Sequence, residues 1–389
     1  MRIAFLCGSL EPGRDGVGDY TRLLAEECVR QGQACALIAL NDRYIETIPS
    51  TLQTPSANGI PTLRLHASVP WSDRIQLARQ QLDRFDPEWV SLQFVCYTFH
   101  PKGLVHGLAG KLAPLLTGRK LHVMFHEIWL CKELGWGWKQ RAVGALQRFF
   151  IRHLIRAARP NVMHTSNATY AALLNRNEIP VTELGLFGNV PVLTKPDTGW
   201  IESQLQTALG GGYRREDVWL FGLFGALHPQ WPPEPLLTRL HRAAQAAGKK
   251  PVLLSIGRTG SPGTDLWNRI ARDYAGRFAF VRLGEQPTKH VSEYLSFLDC
   301  GIATTPRSII GKSSTVISML EHGLPVIVNR DAHHPDPSVS EKCEPLLISC
   351  NANLETRLRA DLGHGPRGSR CPQVAQDFTF ALEGNNAPS

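Results

Sequence analysis

Short apolar runs alternate with stretches of helical period along the whole chain, the pattern of an α/β protein built on parallel sheets. Residues 2–7 are almost continuously apolar and predict a strand buried on both faces. A glycine-rich loop, 8–18, leads into a helix over 19–31, where Tyr20, Leu23, Leu24 and Cys28 share a face and Gly32 ends it. Residues 34–40 predict the second strand. Strand, glycine loop, helix and strand open a Rossmann-like unit. Further strands are expected at 63–66, 89–96, 120–125 and 161–165. Helices are expected at 72–85, at 104–116 with a break at Pro114, and at 168–176 with Ser166 as its cap.

The alternation pauses over 182–200, rich in glycine and proline, which places a domain boundary near residue 195. It then resumes, with strands at 218–224, 252–256, 278–283, 301–304 and 326–328 and helices at 235–247, 266–274 and 291–298. Two successive βα arrays predict two Rossmann-like domains facing a cleft, 1–195 and 196–370. A helix over 374–382 follows an irregular Gly- and Arg-rich segment at 360–371, and the tail 371–389 is expected to cross back to the first domain.

The second array holds the most suggestive string, Pro306 to Pro325. Ser313, Ser314 and Thr315 are N-cap types ahead of a helix whose apolar face is Val316, Ile317, Met319 and Leu320, and Gly323 and Pro325 stop it. A helix start beside Lys312 attracts anions; an ordinary capped helix with a solvated lysine reads the same way. Gly311-Lys312-Ser313 is not a nucleotide-hydrolysing P-loop, which needs a glycine where Pro306 stands. Gly13, Gly16 and Gly18 miss the dinucleotide spacing, which argues against a nicotinamide cofactor.

Composition narrows the setting. The 389 residues are 43% hydrophobic and 20% charged, which fits a soluble globular chain, and the apolar runs are too short to span a bilayer. Nine cysteines without a Cys-x-x-Cys pair fit buried thiols in a reducing cytoplasm. The net charge of +8 implies an anionic partner. No zinc finger, basic repeat or RNP-like string accompanies it, so nucleic acid is not expected. Much of the charge gathers at 136–159, where Trp136, Trp138, Phe149 and Phe150 interleave with Lys139, Arg141, Arg148, Arg152, Arg156 and Arg159 and no acid intervenes. That string fits a helix lying on a membrane surface or near a lipid-linked substrate. It also fits a helix packed on its own domain with a solvated basic face. His126 and Glu127 follow strand 120–125 directly, at the end where open parallel sheets bind ligands. A satisfied structural histidine is the alternative there.

In chain order, five stretches resemble glycosyltransferase family 4, whose fold is GT-B: residues 15–27, His126-Glu127, 221–228, 291–306 and 320–328. The resemblance implies a retaining, metal-independent sugar transfer from a UDP- or GDP-linked nucleotide sugar, without a cofactor. The acceptor would be a glycan, a lipid-linked molecule or a small molecule. A cytoplasmic enzyme of polysaccharide biosynthesis fits this resemblance, and the 136–159 string by itself would add peripheral contact at the inner membrane face. Lys312, Ser313, Ser314 and Thr315 would hold the donor diphosphate, with Arg258 as a second cation. Gly16 and Gly18 would let the first loop approach the phosphates and sugar. His126, with Glu127 beside it, would contact the transferred sugar or position the acceptor. Aligned on Gly323-Leu324-Pro325, Ile310 and Ser318 stand where the family carries two glutamates eight residues apart. Glu321, one turn beyond Ser318, is expected to substitute in part at the ribose or sugar hydroxyls. The same departure fits a non-catalytic nucleotide-sugar-binding or scaffolding protein.

Overall fold

The computed structural model describes residues 1–45, 51–55, 59–131, 136–210, 212–330, 344–351, 353–359 and 365–384. The chain forms two compact units, Met1–Phe187 with Cys371–Ser389, and Gly188–Arg370.

The first unit opens with β1 (Arg2–Cys7), α1 (Gly16–Arg30), β2 (Ala34–Asp42), β3 (Thr51–Pro55) and β4 (Pro61–His66). It continues through α2 (Trp71–Phe85), β5 (Trp89–Phe94), α3 (Cys96–Phe99), α4 (Leu108–Leu116) and β6 (Lys120–Phe125). Then come α5 (Trp138–Ala158), β7 (Val162–Thr165), α6 (Ala168–Asn175) and β8 (Thr182–Glu183). The sheet order is β3-β4-β2-β1-β5-β6-β7-β8, with β3 antiparallel at the edge and the other strands parallel. The apolar run of β1 is buried from Ile3 to Cys7, as its unbroken hydrophobicity demands. Because β1 lies between β2 and β5, the chain winds away from it in both directions, the switch point at whose carboxyl ends open α/β sheets bind ligands.

Local chemistry moves several boundaries. Asp15 caps α1, its carboxylate accepting Val17 N–H at 2.9 Å and Gly18 N–H at 3.4 Å, so the helix starts at Gly16 rather than 19. Asn167, not Ser166, caps α6 by accepting Tyr170 N–H at 3.0 Å. Gly107, at φ 67°, delays α4 to Leu108, and Pro114 sits inside that helix without ending it.

The second unit holds α7 (Gly199–Leu209), β9 (Val218–Phe224), α8 (Leu236–Ala246), β10 (Lys250–Ile256), α9 (Gly260–Asp273) and β11 (Ala279–Gly284). It is completed by α10 (Thr288–Phe297), β12 (Cys300–Ala303), α11 (Ser314–Glu321), β13 (Val326–Val328), β14 (Leu347–Ser349) and α12 (Leu354–Arg359). All its strands are parallel, in the order β11-β10-β9-β12-β13-β14. Alternate residues feed two cores, Leu220, Val252 and Leu254 on one face and Phe221, Leu223 and Leu253 on the other. Val190, Ile201 and Leu205 join the first of these, so 188–195 packs with this unit and part of the expected linker is helix α7.

The last helix, α13 (Cys371–Leu382), belongs to the first unit. Phe378 meets Phe5 at 5.7 Å and His122 at 5.0 Å between ring centroids, and Gln31 Nε2 donates to Pro372 O at 2.8 Å. Residues 360–364 of the Gly- and Arg-rich segment and 385–389 of the tail lie outside the described residues.

Candidate functional site

In the first unit the loop after β1 is held from below. Asp42, buried at the end of β2, accepts Ser9 Oγ at 3.0 Å, Leu10 N–H at 3.2 Å and Arg64 Nε at 2.7 Å. Burial works to raise its pKa, but Arg64 and the Tyr44 and Leu10 amides outweigh it and hold Asp42 below the usual carboxylate range. Asp42 is thus a loop staple. Gly18 has its own reason to be glycine: a Cβ there would sit 2.4 Å from Ser9 O. At Gly16 a Cβ would meet nothing within 4 Å. The α1 start already carries the Asp15 carboxylate, and Gly13 N–H donates to Asp19. Asp19 is in turn paired with Arg22, whose Nη2 donates to Oδ1 at 2.8 Å. Backbone packing against Ser9 is a reason for glycine at position 18 that needs no ligand.

His126 leaves β6 at the carboxyl edge, 7% exposed, with its N–H donating to Phe94 O at 3.1 Å. Its Nε2 lies 2.9 Å from Gln93 Oε1 on β5. Tyr20 of α1 meets the imidazole edge-on at 5.0 Å and stacks on Phe187 at 4.8 Å. Burial pulls the His126 pKa down to about 3, so the ring is neutral at physiological pH. Glu127 is half-buried, and burial together with its charge pushes the Cys96 thiol up to about 12.

In the second unit the carboxyl ends of β9, β12 and β13 converge on the α11 start. Ser313 is the cap, its hydroxyl accepting Val316 N–H at 3.4 Å and lying 3.0 Å from Thr315 Oγ1. First-turn amides of a helix have no carbonyl one turn back to bond, so this end carries a partial positive charge. Lys312 closes the 3-10 turn just before it. Arg330, two residues beyond β13, donates from Nη1 to Thr304 O at 3.1 Å. His228, exposed in the loop after β9, has its pKa lowered by partial desolvation, then by the charges of Arg330 and Lys312. Two cations and an imidazole therefore share the corner at the α11 start. Gly225, at φ 79°, lets the β9 loop turn there, with a Cβ only 3.1 Å from Thr315 Cγ2.

No family model matches the chain, and no curated protein matches it in sequence. Solved structures match it over nearly its full length. Sucrose-phosphate synthase from Thermosynechococcus elongatus gives a TM-score of 0.62 at 13% identity, covering 99% of this chain and 97% of that one. HepE from Anabaena, solved with UDP and glucose, gives 0.62 at 15% identity over 99% and 100%. A putative UDP-N-acetylglucosamine 2-epimerase from Listeria monocytogenes gives 0.56 at 10% identity over 100% and 99%. The chain has the GT-B fold. Transferases and an epimerase share that fold, so the chemistry has to be argued from the site.

Within the GT-B frame the structure gathers only part of the expected set. Lys312, Ser313, Ser314 and Thr315 stand together at the α11 start. Arg258 lies past β10 and pairs with Glu285, which offsets its charge. Glu321 ends α11, roughly 12 Å along the axis from the cap at 1.5 Å per residue. Its Oε1 accepts Gly188 N–H at 3.1 Å and Arg370 N–H at 2.8 Å, so this oxygen is engaged by backbone rather than by the cap corner. Arg330, His228 and Gln93 were missed. Arg330 sits two residues past a strand end, the same signal that singled out His126. Gln93 gave none, being a polar residue inside an apolar strand.

Proposed function

We infer that the protein transfers a sugar from a nucleotide-sugar donor to an acceptor, retaining and without a metal, as a glycosyltransferase on the GT-B fold. The observation that carries this is the cationic corner of the second unit, where Lys312, Arg330 and the α11 start converge beside His228. A departing nucleoside diphosphate gains negative charge, and cations and amide dipoles held in place stabilise that charge most in the transition state. Ser313, Ser314 and Thr315 supply hydroxyls and amides around the phosphates, and Lys312 and Arg330 supply charge. His126, neutral at the strand end of the first unit, contacts the sugar. In a retaining transfer the leaving diphosphate takes the acceptor's proton, so no separate protein base is required. The acceptor is a glycan or lipid-linked molecule reached at a membrane surface through α5, whose outward face is aromatic and basic.

UDP is the nucleotide bound in the HepE structure, so UDP-hexoses are the first donors to test, followed by GDP-sugars. The expected result is release of nucleoside diphosphate from one donor, faster with an acceptor present. Binding of a nucleotide sugar without any turnover across the panel would overturn the enzyme reading. One observation favours that second, non-catalytic reading. Ile310 packs against the apolar core and Ser318 is fully buried, so neither position offers a carboxylate.

A further inference from the structure

A continuous chain of buried polar side chains runs through the sheet of the first unit and ends at His126. Gln93 Oε1 lies 2.9 Å from His126 Nε2, and Gln93 Nε2 donates to Ser91 Oγ at 2.8 Å. Ser91 Oγ lies 2.8 Å from His122 Nδ1, and His122 Nε2 lies 3.0 Å from His164 Nδ1. All five residues are nearly or wholly buried, four on the neighbouring strands β5, β6 and β7 and His126 directly after β6. Apolar packing would fill this space at less risk, because a half-satisfied buried network is worse than none.

The chain has a direction. An amide is the one member whose donor and acceptor ends are chemically fixed. With its oxygen toward His126, Gln93 must accept from a protonated Nε2, and its nitrogen must donate to Ser91. Ser91 keeps its own proton for His122 Nδ1, and when it donates there His122 gives its Nε2 proton to His164 Nδ1. A hydroxyl can accept twice, so the amide in this orientation dictates the tautomer of His126 alone. Turning the amide over would reverse every bond and set every ring as Nδ1–H.

We propose that Gln93 is a positioning residue that fixes His126 as the Nε2–H tautomer, leaving Nδ1 as a hydrogen-bond acceptor for a hydroxyl of the bound sugar. Among the described residues His126 Nδ1 makes no hydrogen bond, and the ring stands at the carboxyl edge of β6. An acceptor there recognises an O–H and rejects an ether or carbonyl oxygen. The sugar contact rests on the transferase reading above; the tautomer assignment does not.

The test is long-range proton–nitrogen NMR on 15N-histidine-labelled full-length protein, with His126 assigned through His126→Asn. Wild type is expected to show one neutral His126 tautomer, protonated at Nε2. Gln93→Met is expected to move both His126 ring nitrogens toward averaged shifts. Ser91→Ala keeps the Gln93–His126 bond and is expected to leave His126 unchanged while releasing His122. An Nδ1–H tautomer at His126 in wild type overturns the proposal, and so does a Gln93→Met spectrum identical to wild type. If Gln93→Met fails to fold, the wild-type and Ser91→Ala spectra still decide. With a UDP-hexose that turns over, Gln93→Met should lower kcat about tenfold while UDP affinity holds. Because the spectrum needs no turnover, a chain that transfers nothing leaves the tautomer result standing.

Discussion

Glu321 accepts the backbone N–H of Arg370 at 2.8 Å, and the same oxygen takes the N–H of Gly188 at 3.1 Å. Those amides belong to the last and first residues of the second unit, so one carboxylate ties both its ends to α11. Its Oε2 is buried without a partner among the described residues. Burial raises the pKa above 4.5, with the Arg370 and Gly188 amides opposing. For an acid whose folded pKa is raised, the ionised form is penalised at neutral pH. The penalty is relieved as pH falls through the folded pKa and is gone below about 4.5. Glu321→Gln keeps an acceptor and removes the charge, so its stability at pH 7 should equal or exceed wild type. Its stability should also vary less between about pH 4 and 8. Glu321→Leu strands two amides and should cost about 2–3 kcal/mol. Urea unfolding across that range checks both; superimposable wild-type and Gln profiles would sink the assignment.

The cationic corner makes a binding prediction. A hydrogen bond to a charged group contributes about 1.5–3 kcal/mol. Lys312→Ala and Arg330→Ala should therefore each weaken UDP binding roughly tenfold or more, and the double variant more than either. Calorimetry reads this directly. Unchanged affinity in Lys312→Ala removes the phosphate site. An independent reading comes from His228, whose pKa is held down by partial desolvation first and then by Arg330 and Lys312. Removing Arg330 should let it rise, and removing Lys312 should raise it less.

Two glycines separate packing from ligand access. A Cβ at Gly18 would lie 2.4 Å from Ser9 O, whereas one at Gly16 would meet nothing within 4 Å. Gly18→Ala should destabilise the protein by about 1–3 kcal/mol, the usual cost of overpacking. Gly16→Ala, in the first turn of α1, should be neutral or slightly stabilising. Thermal melts distinguish them, and equal shifts would mean that the loop's approach to Ser9 does not dictate the glycine.

The strands were legible because parallel sheets bury both faces, so β1 from Ile3 onward and β9 read as nearly unbroken apolar runs. Long helices were legible from their period. What escaped was short or polar: the edge strand β8, the first turn of α1, and α7, whose glycine and tryptophan start imitates a linker. At the site, Lys312 and the Ser313 cap could be read because capping is local chemistry. Glu321 could not be placed, since its partners lie 133 and 49 residues away in the chain. Arg330 and Gln93 depend on which strands become neighbours, and that is a property of the fold rather than of any local string.

The outward face of α5 gives the last prediction. The helix packs through Gly144, Gln147, Ile151 and Leu154. Gly144 approaches so closely that a Cβ would lie 1.8 Å from Leu130 O, which fixes which face turns inward. The opposite face carries Trp138, Leu146 and Phe149 at 74%, 51% and 63% exposure. Large aromatics this exposed are costly to leave in water. Arg152 and Arg156 share Glu178, while Lys139 and Arg141 stand nearer the aromatic end. Aromatic side chains can enter the headgroup layer while flanking cations meet anionic lipid, and each cation near the surface contributes about 1 kcal/mol. Sedimentation with phosphatidylglycerol vesicles should show binding that weakens as salt rises and is much poorer on phosphatidylcholine. Trp138→Ser with Phe149→Ser should cut partitioning at least tenfold with the melting temperature unchanged, since neither side chain packs in the core. Absence of wild-type binding at low salt would remove the membrane contact and leave the aromatic face to a protein partner.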